Sequence, residues 1–196
     1  MRVLVIYCHP DPTSFASALH AGVIEGLTKA GHAVTDLDLY AEDFQPVLNL
    51  EDRAEYSDGA RHYRTVEKYA EQLAGAEAIV AVYPTWWFGL PAMLKGYFDR
   101  VWAPGIAYDV APDGAVKTDR LAHIRRLAVV TTYGAPWWLI RFYMGDPERK
   151  LWARGVRPLC AKRCRLDWHA HYNMDHASQE RLDRFRTSVK NGMAEW

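Results

Sequence analysis

The chain has few cysteines, no excess of charge of either sign and no long apolar run. Its 196 residues include only three cysteines, Cys8, Cys160 and Cys164, and none of them stands in a Cys-x-x-Cys pair. We interpret all three as free thiols in a reducing compartment, with metal binding as the weaker alternative. The first apolar run is too short for a signal peptide, and nothing approaches a membrane-spanning length. We therefore expect a cytoplasmic protein without membrane insertion.

The balanced charge excludes a general electrostatic reason to bind nucleic acid or an anionic membrane. The 24 Lys and Arg residues equal the 24 Asp and Glu residues in number, and neither partner is expected. Their distribution is uneven, because residues 1–119 carry 9 basic and 17 acidic side chains whereas residues 120–196 carry 15 and 7. Either two faces of one fold complement each other, or some C-terminal arginines contact the phosphates of a bound nucleotide.

Apolar and aromatic residues are abundant. Apolar residues make up 49% of the chain and charged residues 24%, which is typical of a folded globular protein. The length predicts a single domain over residues 1–196. Aromatic residues reach 13%, with 8 Trp, and this surplus indicates a flat ligand or a large interface in addition to a core.

Segments with a strand pattern alternate with segments of helical spacing. Apolar or alternating runs predict strands at Val3–Tyr7, Ala33–Tyr40, Ala78–Tyr83, Leu127–Thr132 and Arg165–Tyr172. Apolar residues at helical spacing predict helices from Ser14, across residues 63–73, from Pro91, from about Pro147, and at the end of the chain with Asp175 as a candidate N-cap. This order predicts an α/β fold, a doubly wound parallel sheet of five strands in three layers, α/β/α.

Ligands of such sheets bind beyond the carboxyl ends of the strands, which makes loops 8–14, 84–91 and 132–146 the candidates. The first loop contains neither a GxGxxG nor a Walker GxxxxGK[ST] motif. Thr13 and Ser14 stand where the first helix begins, and the hydroxyls and free N–H groups at such a position suit a phosphate. The alternative is that one of these two residues is simply the helix cap.

The other two loops combine aromatic rings with hydroxyls and exposed amides. The second loop is Pro84-Thr85-Trp86-Trp87-Phe88-Gly89-Leu90-Pro91, and the third begins Thr131-Thr132-Tyr133-Gly134-Ala135-Pro136-Trp137-Trp138. Such rings either pack beneath neighbouring loops or wall a slot for a planar molecule, and the two possibilities are compatible. Together the three loops suit a phosphate tail and a flat polar ring, which fits flavin better than adenine alone.

At these residues the chain resembles the NAD(P)H:quinone oxidoreductase (DT-diaphorase) family of flavoproteins, which have a flavodoxin-like fold. The resemblance is carried by Val3 to Phe15, Asp38-Leu39-Tyr40, Phe44-Gln45-Pro46, the specific block from Trp87 to Gly96, Ala107-Tyr108 and Thr131-Thr132. It implies an NAD(P)H dehydrogenase of the quinone type. Hydride would pass from NAD(P)H through flavin N5 to a quinone or similar acceptor in a ping-pong reaction, with FAD as the cofactor and FMN as the alternative.

The resemblance also implies a role for individual residues. The flavin phosphates and ribityl chain would be held at His9, Thr13, Ser14, Phe15 and Ala16. The isoalloxazine ring would be lined by Pro84, Thr85, Trp86, Trp87 and Phe88, and its other edge closed by Thr131, Thr132, Tyr133 and Gly134. Arg181 falls where FAD-binding members have an arginine near the adenosine. Tyr108 would cover the substrate side across a homodimer interface, Tyr143 is a second candidate donor to the acceptor, and no metal is expected.

Three positions depart from that family. Ala16 replaces a frequent Asn, Tyr133 replaces a glycine, and Met144 falls at the position of a histidine. The residues also leave other functions open. One is a flavodoxin-like electron carrier or an ancillary subunit with little turnover of its own, and another is a metal site made of His169, His171 and His176. The loop over residues 102–119, with Trp102 and Tyr108, is expected to expose apolar surface that a two-fold dimer buries.

Overall fold

A parallel sheet of five strands forms the centre of the molecule. The structure, a computed structural model, describes residues 1–56 and 59–196, and only the backbone of residues 59 and 60. The strands are β1 (Arg2–Tyr7), β2 (Ala33–Asp38), β3 (Ala78–Pro84), β4 (Arg126–Thr132) and β5 (Arg165–His171). Their order in the sheet is β2-β1-β3-β4-β5, with every neighbouring pair parallel. The predicted sheet is confirmed, and the strand order reverses direction between β1 and β3, which is where such sheets bind ligands.

Helices cover both faces of the sheet. They are α1 (Phe15–Lys29), α2 (Leu50–Glu55), α3 (Gly59–Gly75), α4 (Ala92–Val101), α5 (Pro147–Lys150) and α6 (Gln179–Ala194). Shorter helical turns are the π-helical Leu139–Tyr143 and Leu151–Val156 and the 3₁₀ turns Arg157–Leu159 and Met174–His176. The segment after α4, predicted as a loop, contains a small antiparallel pair, Asp109–Val110 with Val116–Lys117.

Alternate side chains of each central strand enter two different cores. Val3 and Val5 of β1 pack with α1 and α6, where Val23 and Met193 are buried. Leu4 of β1 points to the opposite face, where α3, α4 and the buried Trp152 complete a core richer in aromatic rings. The period of two along a strand produces this division. It explains why the central strands are apolar without interruption.

The predicted start of the last helix is wrong. Asp175 lies in the 3₁₀ turn that precedes α6, and Ser178 is the N-cap, with its Oγ accepting from the Arg181 amide at 3.4 Å. The backbone of Ala177 between them is extended, with φ −78° and ψ 129°. Because an extended residue interrupts the helical hydrogen bonds, the turn at Asp175 cannot continue into α6.

The expectation that the segment after α4 exposes its aromatic rings is also wrong. Trp102 is only 7% exposed, and Ala107 is fully buried in the aromatic core. Tyr108 packs against the same core. The apolar side chains that this segment does expose, Val110 and Val116, belong to the small antiparallel pair. This segment therefore does not provide the aromatic surface from which a dimer was predicted.

Candidate functional site

An open cleft of about 250 Å³ lies beyond the carboxyl ends of β3 and β4. It is lined by Thr85, Trp87, Phe88, Tyr133, Gly134, Ala135 and Ile140. The first five of these residues were predicted to surround a flat ring, and the fold brings them to one place because β3 and β4 are neighbours in the sheet. Ala135 and Ile140 complete the wall.

The loop after β3 makes a tight two-residue turn in an uncommon backbone conformation. The amide and carbonyl of Trp86 exchange hydrogen bonds with those of Gly89, both at 3.1 Å. The two residues between them, Trp87 and Phe88, have φ values of 51° and 59°. This left-handed region favours glycine, and each bulky residue held there costs about 1–2 kcal/mol. Trp87 is also 96% exposed, so neither burial nor backbone preference explains its side chain at this position.

The amides of this turn are available to a ligand. In the part of the chain that the structure describes, the N–H groups of Trp87 and Phe88 donate to no acceptor. A strained turn that presents free donors beside a cleft is typical of a binding site, because the strain persists only where the surroundings or a ligand support it.

Hydrogen bonds join the loops after β3 and β4 beneath the cleft. The Thr85 amide donates to the Thr132 carbonyl at 2.9 Å, and the hydroxyl oxygens of Thr85 and Thr131 lie 3.0 Å apart. Pro84, Thr131 and Thr132 are buried and do not line the cleft. They support the residues that do, and their predicted contact with a flavin remains a prediction.

A buried carboxyl group lies under the same floor. Glu148 of α5 is 2% exposed, and its Oε2 accepts from the Thr85 hydroxyl at 2.5 Å. Burial raises the pKa of Glu148, and the hydrogen bond from Thr85 and the nearby hydroxyl of Tyr133 oppose that shift in part. Burial also raises the pKa of Tyr133, and the charge of Glu148 adds to this effect. Tyr133 is stacked on Tyr172, with ring centroids 4.9 Å apart, so its ring forms a fixed wall.

The loop after β1 ends at the N-terminus of α1, which offers two free amides. Ser14 is the N-cap, and its Oγ accepts from the Ser17 amide at 3.2 Å, so the capping alternative applies to Ser14. The amides of Phe15 and Ala16 have no acceptor among the described residues. Free amides at the start of a 15-residue helix suit an anionic group.

Thr13 donates to an acidic side chain of its own loop, and its predicted contact with a phosphate remains a prediction. Its amide and its hydroxyl both donate to one oxygen of the Asp11 carboxylate, each at 2.7 Å. These bonds lower the pKa of Asp11. The predicted phosphate end therefore already holds one negative charge of its own.

His9 connects the two loops. Its Nδ1 accepts from the Asp11 amide at 3.0 Å, and its ring lies 5.9 Å from that of Trp86 between centroids. The loops after β1 and β3 thus meet, and a ligand could extend from the cleft to the start of α1.

Three other predicted cofactor residues lie along α1 and α6. The ring of Phe15 packs against Phe185 of α6, with centroids 6.5 Å apart, and Ala16 is buried on α1. Arg181 is exposed near the start of α6; burial lowers the pKa of His171, and the charge of Arg181 adds to this effect. None of the three lines the cleft, and their roles stay predictions.

The two predicted catalytic tyrosines do not line the cleft of their own chain. Tyr108 packs against the aromatic core, and Tyr143 is 82% exposed on the π-helical turn Leu139–Tyr143. Within this chain, neither of them is in a position to donate to a group in the cleft.

A second cavity, of about 360 Å³, lies beside the cleft and is strongly basic. It is lined by Arg141, Gly145, Asp146, Arg149, Lys150, Ala153 and Arg154. Arg141 forms an ion pair with Asp146 at 2.9 Å. No carboxylate in the described ranges pairs with Arg149, Lys150 or Arg154. The two cavities share one segment, because Ile140 lines the cleft and its carbonyl accepts from the Asp146 amide at 2.8 Å.

Both interpretations of the uneven charge therefore have support. Lys190 of the basic half pairs with Glu25 of the acidic half, and Arg125 pairs with Glu77. The basic cavity, by contrast, has the character expected of a site for phosphate.

The metal alternative has no support. Across residues 1–56 and 59–196, no group of three or more His, Cys, Asp or Glu side chains is arranged to hold a metal ion. The alternative trio of His169, His171 and His176 is therefore not arranged as a metal site.

The three cysteines are buried free thiols, as predicted. No helix in the described part of the chain has the length and apolarity needed to cross a bilayer.

Sequence reasoning missed Glu148, Ala135 and Ile140. An acidic residue directly after Pro147 resembles an ordinary first-turn residue that complements the helix dipole, and nothing local indicates its burial. Ala135 and Ile140 lie in the candidate loop 132–146, but their types carry no chemistry that would distinguish them.

Comparison with known sequences agrees with this geometry. Residues 1–152 match the family described as flavodoxin-like fold. The chain is 34% identical over 108 residues to an uncharacterized NAD(P)H oxidoreductase of Escherichia coli, YcaK, covering 55% of each chain. It is 35% identical over 126 residues to NAD(P)H dehydrogenase [quinone] 1 of Rattus norvegicus, covering 56% of this chain and 46% of that one. The chain thus spans about half the length of the curated relatives it matches.

Solved structures share the fold over the whole chain. Smu.1420 of Streptococcus mutans superposes with a TM-score of 0.86 at 27% identity, covering 100% of both chains. An FMN-dependent NADH-azoreductase of Bacillus anthracis, solved in complex with FMN, superposes with a TM-score of 0.73 at 16% identity over 99% of this chain and 98% of that one. At that identity, the second likeness concerns the fold alone.

Proposed function

The chain belongs to the flavodoxin-like family, and on that premise we propose that it is a flavin-dependent NAD(P)H oxidoreductase of the quinone type. The observation that carries the proposal is the turn at Trp87 and Phe88, strained and with free amides, on the wall of the cleft. The names of the relatives, NAD(P)H oxidoreductase and NAD(P)H dehydrogenase [quinone], support the same reaction.

The residues present fit a flavin at two ends. The aromatic turn and Tyr133 would enclose the flat ring, and the free amides of Phe15 and Ala16 would bind its phosphate. When bound, the flavin would accept a hydride from NAD(P)H and pass it to the acceptor. The chain's own part is to bind and orient the ring, to exclude water with its aromatic wall, and to donate amide N–H groups to the ring's polar edge.

The overall reaction consumes NAD(P)H, one proton and a quinone, and yields NAD(P)⁺ and a hydroquinone. We infer that one cleft serves the reacting rings of both the reductant and the acceptor, because the free amides of Trp87 and Phe88 and the aromatic wall lie together at it. A shared site requires the first product to leave before the second substrate enters. We therefore expect parallel initial-velocity lines when NAD(P)H is varied at several quinone concentrations, and intersecting lines would contradict a shared site.

The visible spectrum of the purified protein is the first test. We expect a yellow protein whose colour is bleached by NAD(P)H under anaerobic conditions and restored by a quinone. A protein that stays colourless after incubation with either FAD or FMN would contradict flavin binding. A yellow protein with negligible NAD(P)H turnover would instead favour the alternative, an electron carrier or ancillary subunit.

FAD is the predicted form of the cofactor, and FMN is the alternative. Arg181 supports FAD, since it is exposed in the first turn of α6, whose Phe185 packs against Phe15 at the start of α1. The substitution Arg181→Ala is expected to weaken FAD binding and to leave FMN binding unchanged. The mass of the cofactor released by heating identifies it directly.

The basic cavity supports NADPH as the reductant. Arg149, Lys150 and Arg154 would bind the 2′-phosphate that distinguishes NADPH from NADH. Because these side chains are exposed, each of Arg149→Ala and Arg154→Ala is expected to raise KM for NADPH only about threefold. KM for NADH is the matched control and should not change. Added salt should reduce the difference between the two reductants.

A homodimer, a single domain over residues 1–196 and a cytoplasmic location remain predictions. A different surface now supports the dimer, since Trp87, Trp137, Trp138, Phe142 and Tyr143 are exposed near the cleft. Tyr108 reaches a ligand only if a second copy presents it, because it does not line its own cleft. A monomeric elution profile at micromolar concentration would contradict the dimer.

A further inference from the structure

The Thr85 hydroxyl connects the cleft with the buried carboxyl beneath it. Thr85 lines the cleft. Its Oγ1 lies 2.5 Å from Oε2 of Glu148 and 3.0 Å from Oγ1 of Thr131. Glu148 is 2% exposed, and Thr131 is fully buried, so no bulk water competes for these bonds.

A threonine hydroxyl carries a single proton, and the ionisation of Glu148 decides where it points. An ionised carboxylate can only accept, so the Thr85 proton must then point toward Glu148, away from the cleft. A protonated carboxyl can donate to Thr85, and the Thr85 proton is then free to point toward Thr131 or toward a ligand. The same contact distance is compatible with both states.

The surroundings of Glu148 favour its protonated form. Its second oxygen, Oε1, has no partner within the described residues, and neither does the buried hydroxyl of Tyr133. Burial raises the pKa of Glu148 and the charge of Asp146 adds to this, whereas the hydrogen bond from Thr85 and the nearby phenol groups of Tyr133 and Tyr83 lower it. Arg141 does not compensate the charge of Glu148 directly, because it pairs with Asp146.

We propose that Glu148 is a positioning residue that switches the Thr85 hydroxyl between donor and acceptor toward a ligand in the cleft. The inference rests on the proposed function, since flavin is the ligand considered. The polar edge of a flavin ring carries more acceptor atoms than donors. Protonated Glu148 therefore favours binding, and ionised Glu148 weakens it.

Riboflavin is the appropriate probe, because it has the ring and ribityl chain of the cofactor but no phosphate that titrates. Its dissociation constant is measured by fluorescence quenching on the cofactor-free protein, from acidic to mildly alkaline pH. The loss of one uncharged hydrogen bond corresponds to weakening of about threefold to tenfold as the pH rises. This readout needs no turnover.

Four variants separate the switch from other effects. Glu148→Gln is expected to remove the pH dependence, and Thr85→Val is expected to bind weakly at every pH. Thr85→Ser keeps the hydroxyl and should keep the pH dependence. Asp146→Asn should also keep it, with its midpoint moved to lower pH because one neighbouring negative charge is gone.

The stability of the ligand-free protein gives a second readout. The pKa of Glu148 in the folded state is raised above its ordinary value of 4.5, so its stabilising contribution is present below that value and is lost as the pH rises through the raised pKa. We expect the Tm of the wild type to fall relative to that of Glu148→Gln over this interval. If Glu148→Gln does not fold, the pH dependence of riboflavin binding to the wild type and to the two Thr85 variants still tests the proposal.

The outcomes distinguish this inference from the proposed function. If riboflavin binds the wild type and Glu148→Gln with the same pH dependence, or binds the wild type without any, the switch is wrong and the oxidoreductase proposal stands. If neither riboflavin, FMN nor FAD binds at any pH, the proposed function is wrong and the switch with it.

Discussion

Two loops at the same edge of the sheet prepare for a ligand in opposite ways. The β1 loop (residues 8–14) satisfies its polar groups within itself, through the Asp11 carboxylate, the Ser14 cap and the bond from the Asp11 amide to His9. Its free amides are those that every helix start leaves free. The β3 loop (residues 84–91) instead holds Trp87 and Phe88 in the left-handed region.

The start of α1 presents its free amides without backbone strain, whereas the turn after β3 presents its free amides in a strained backbone conformation. A helix begins at Ser14 whether or not a ligand is present, because the cap bond is local. The turn at Trp87 is unfavourable for a bulky residue, and contact between its ring and a ligand would offset part of that cost. Substitutions in the β3 loop should therefore move stability and binding in opposite directions, whereas those that remove the cap of the β1 loop should lower both.

The largest effect is expected for Trp87→Gly. Glycine adopts a positive φ without steric cost, so the free energy of unfolding should rise by about 1 kcal/mol. Loss of the aromatic wall should weaken riboflavin binding about tenfold. Trp87→Phe is the matched control, because it keeps both the ring and the strain, and it should change neither quantity much. Tighter binding by Trp87→Gly would show that the indole blocks the cleft instead of forming it.

A smaller effect is expected for Ser14→Ala in the β1 loop. Loss of the cap should lower the free energy of unfolding by about 1 kcal/mol, and FMN binding should weaken with it. Riboflavin, which has no phosphate, should bind as before. Ser14→Gly is the control, since glycine at a cap costs only a few tenths of a kcal/mol. An equal loss of FMN and riboflavin binding would place the phosphate elsewhere.

The smallest effect is expected for Asp11→Asn. The Asn carbonyl can still accept from the Thr13 amide, but the negative charge beside the free amides disappears. FMN should bind about twofold more tightly, and riboflavin should be unaffected. Hydrogen bonds from Thr13 hold the pKa of Asp11 low, so the wild type should show no Asp11 titration near neutral pH. Weaker FMN binding would mean that Asp11 serves the ligand instead of opposing it.

Local patterns account for the parts that were predicted correctly. The apolar run at Val3–Tyr7 and the hydroxyls at Thr13 and Ser14 indicate a buried strand followed by a helix start, and the fold contains both. The cleft residues Thr85 and Tyr133 were also identified in advance, because loops after parallel strands meet at one edge.

Nonlocal packing explains the failures. Trp102 was expected at the surface, but the bend after α4 turns it into the aromatic core. Tyr108 and Tyr143, the two candidate donors, lie outside the cleft of their own chain, and their predicted roles, that of Tyr108 across a dimer interface, remain predictions. The left-handed turn at Trp87 was not predicted either, since tryptophan is among the residues least suited to it.

The sequence by itself determined which segments form strands and which form helices, because apolar runs and helical spacing are properties of neighbouring positions, and the alternation of the two along the chain predicts parallel pairing. Only the tertiary structure decided that Glu148 lies beneath Thr85, 63 residues away in the chain. The burial of a carboxyl group depends on what packs over it from other elements, and no local pattern records this. The pH dependence that we propose for ligand binding rests on that packing.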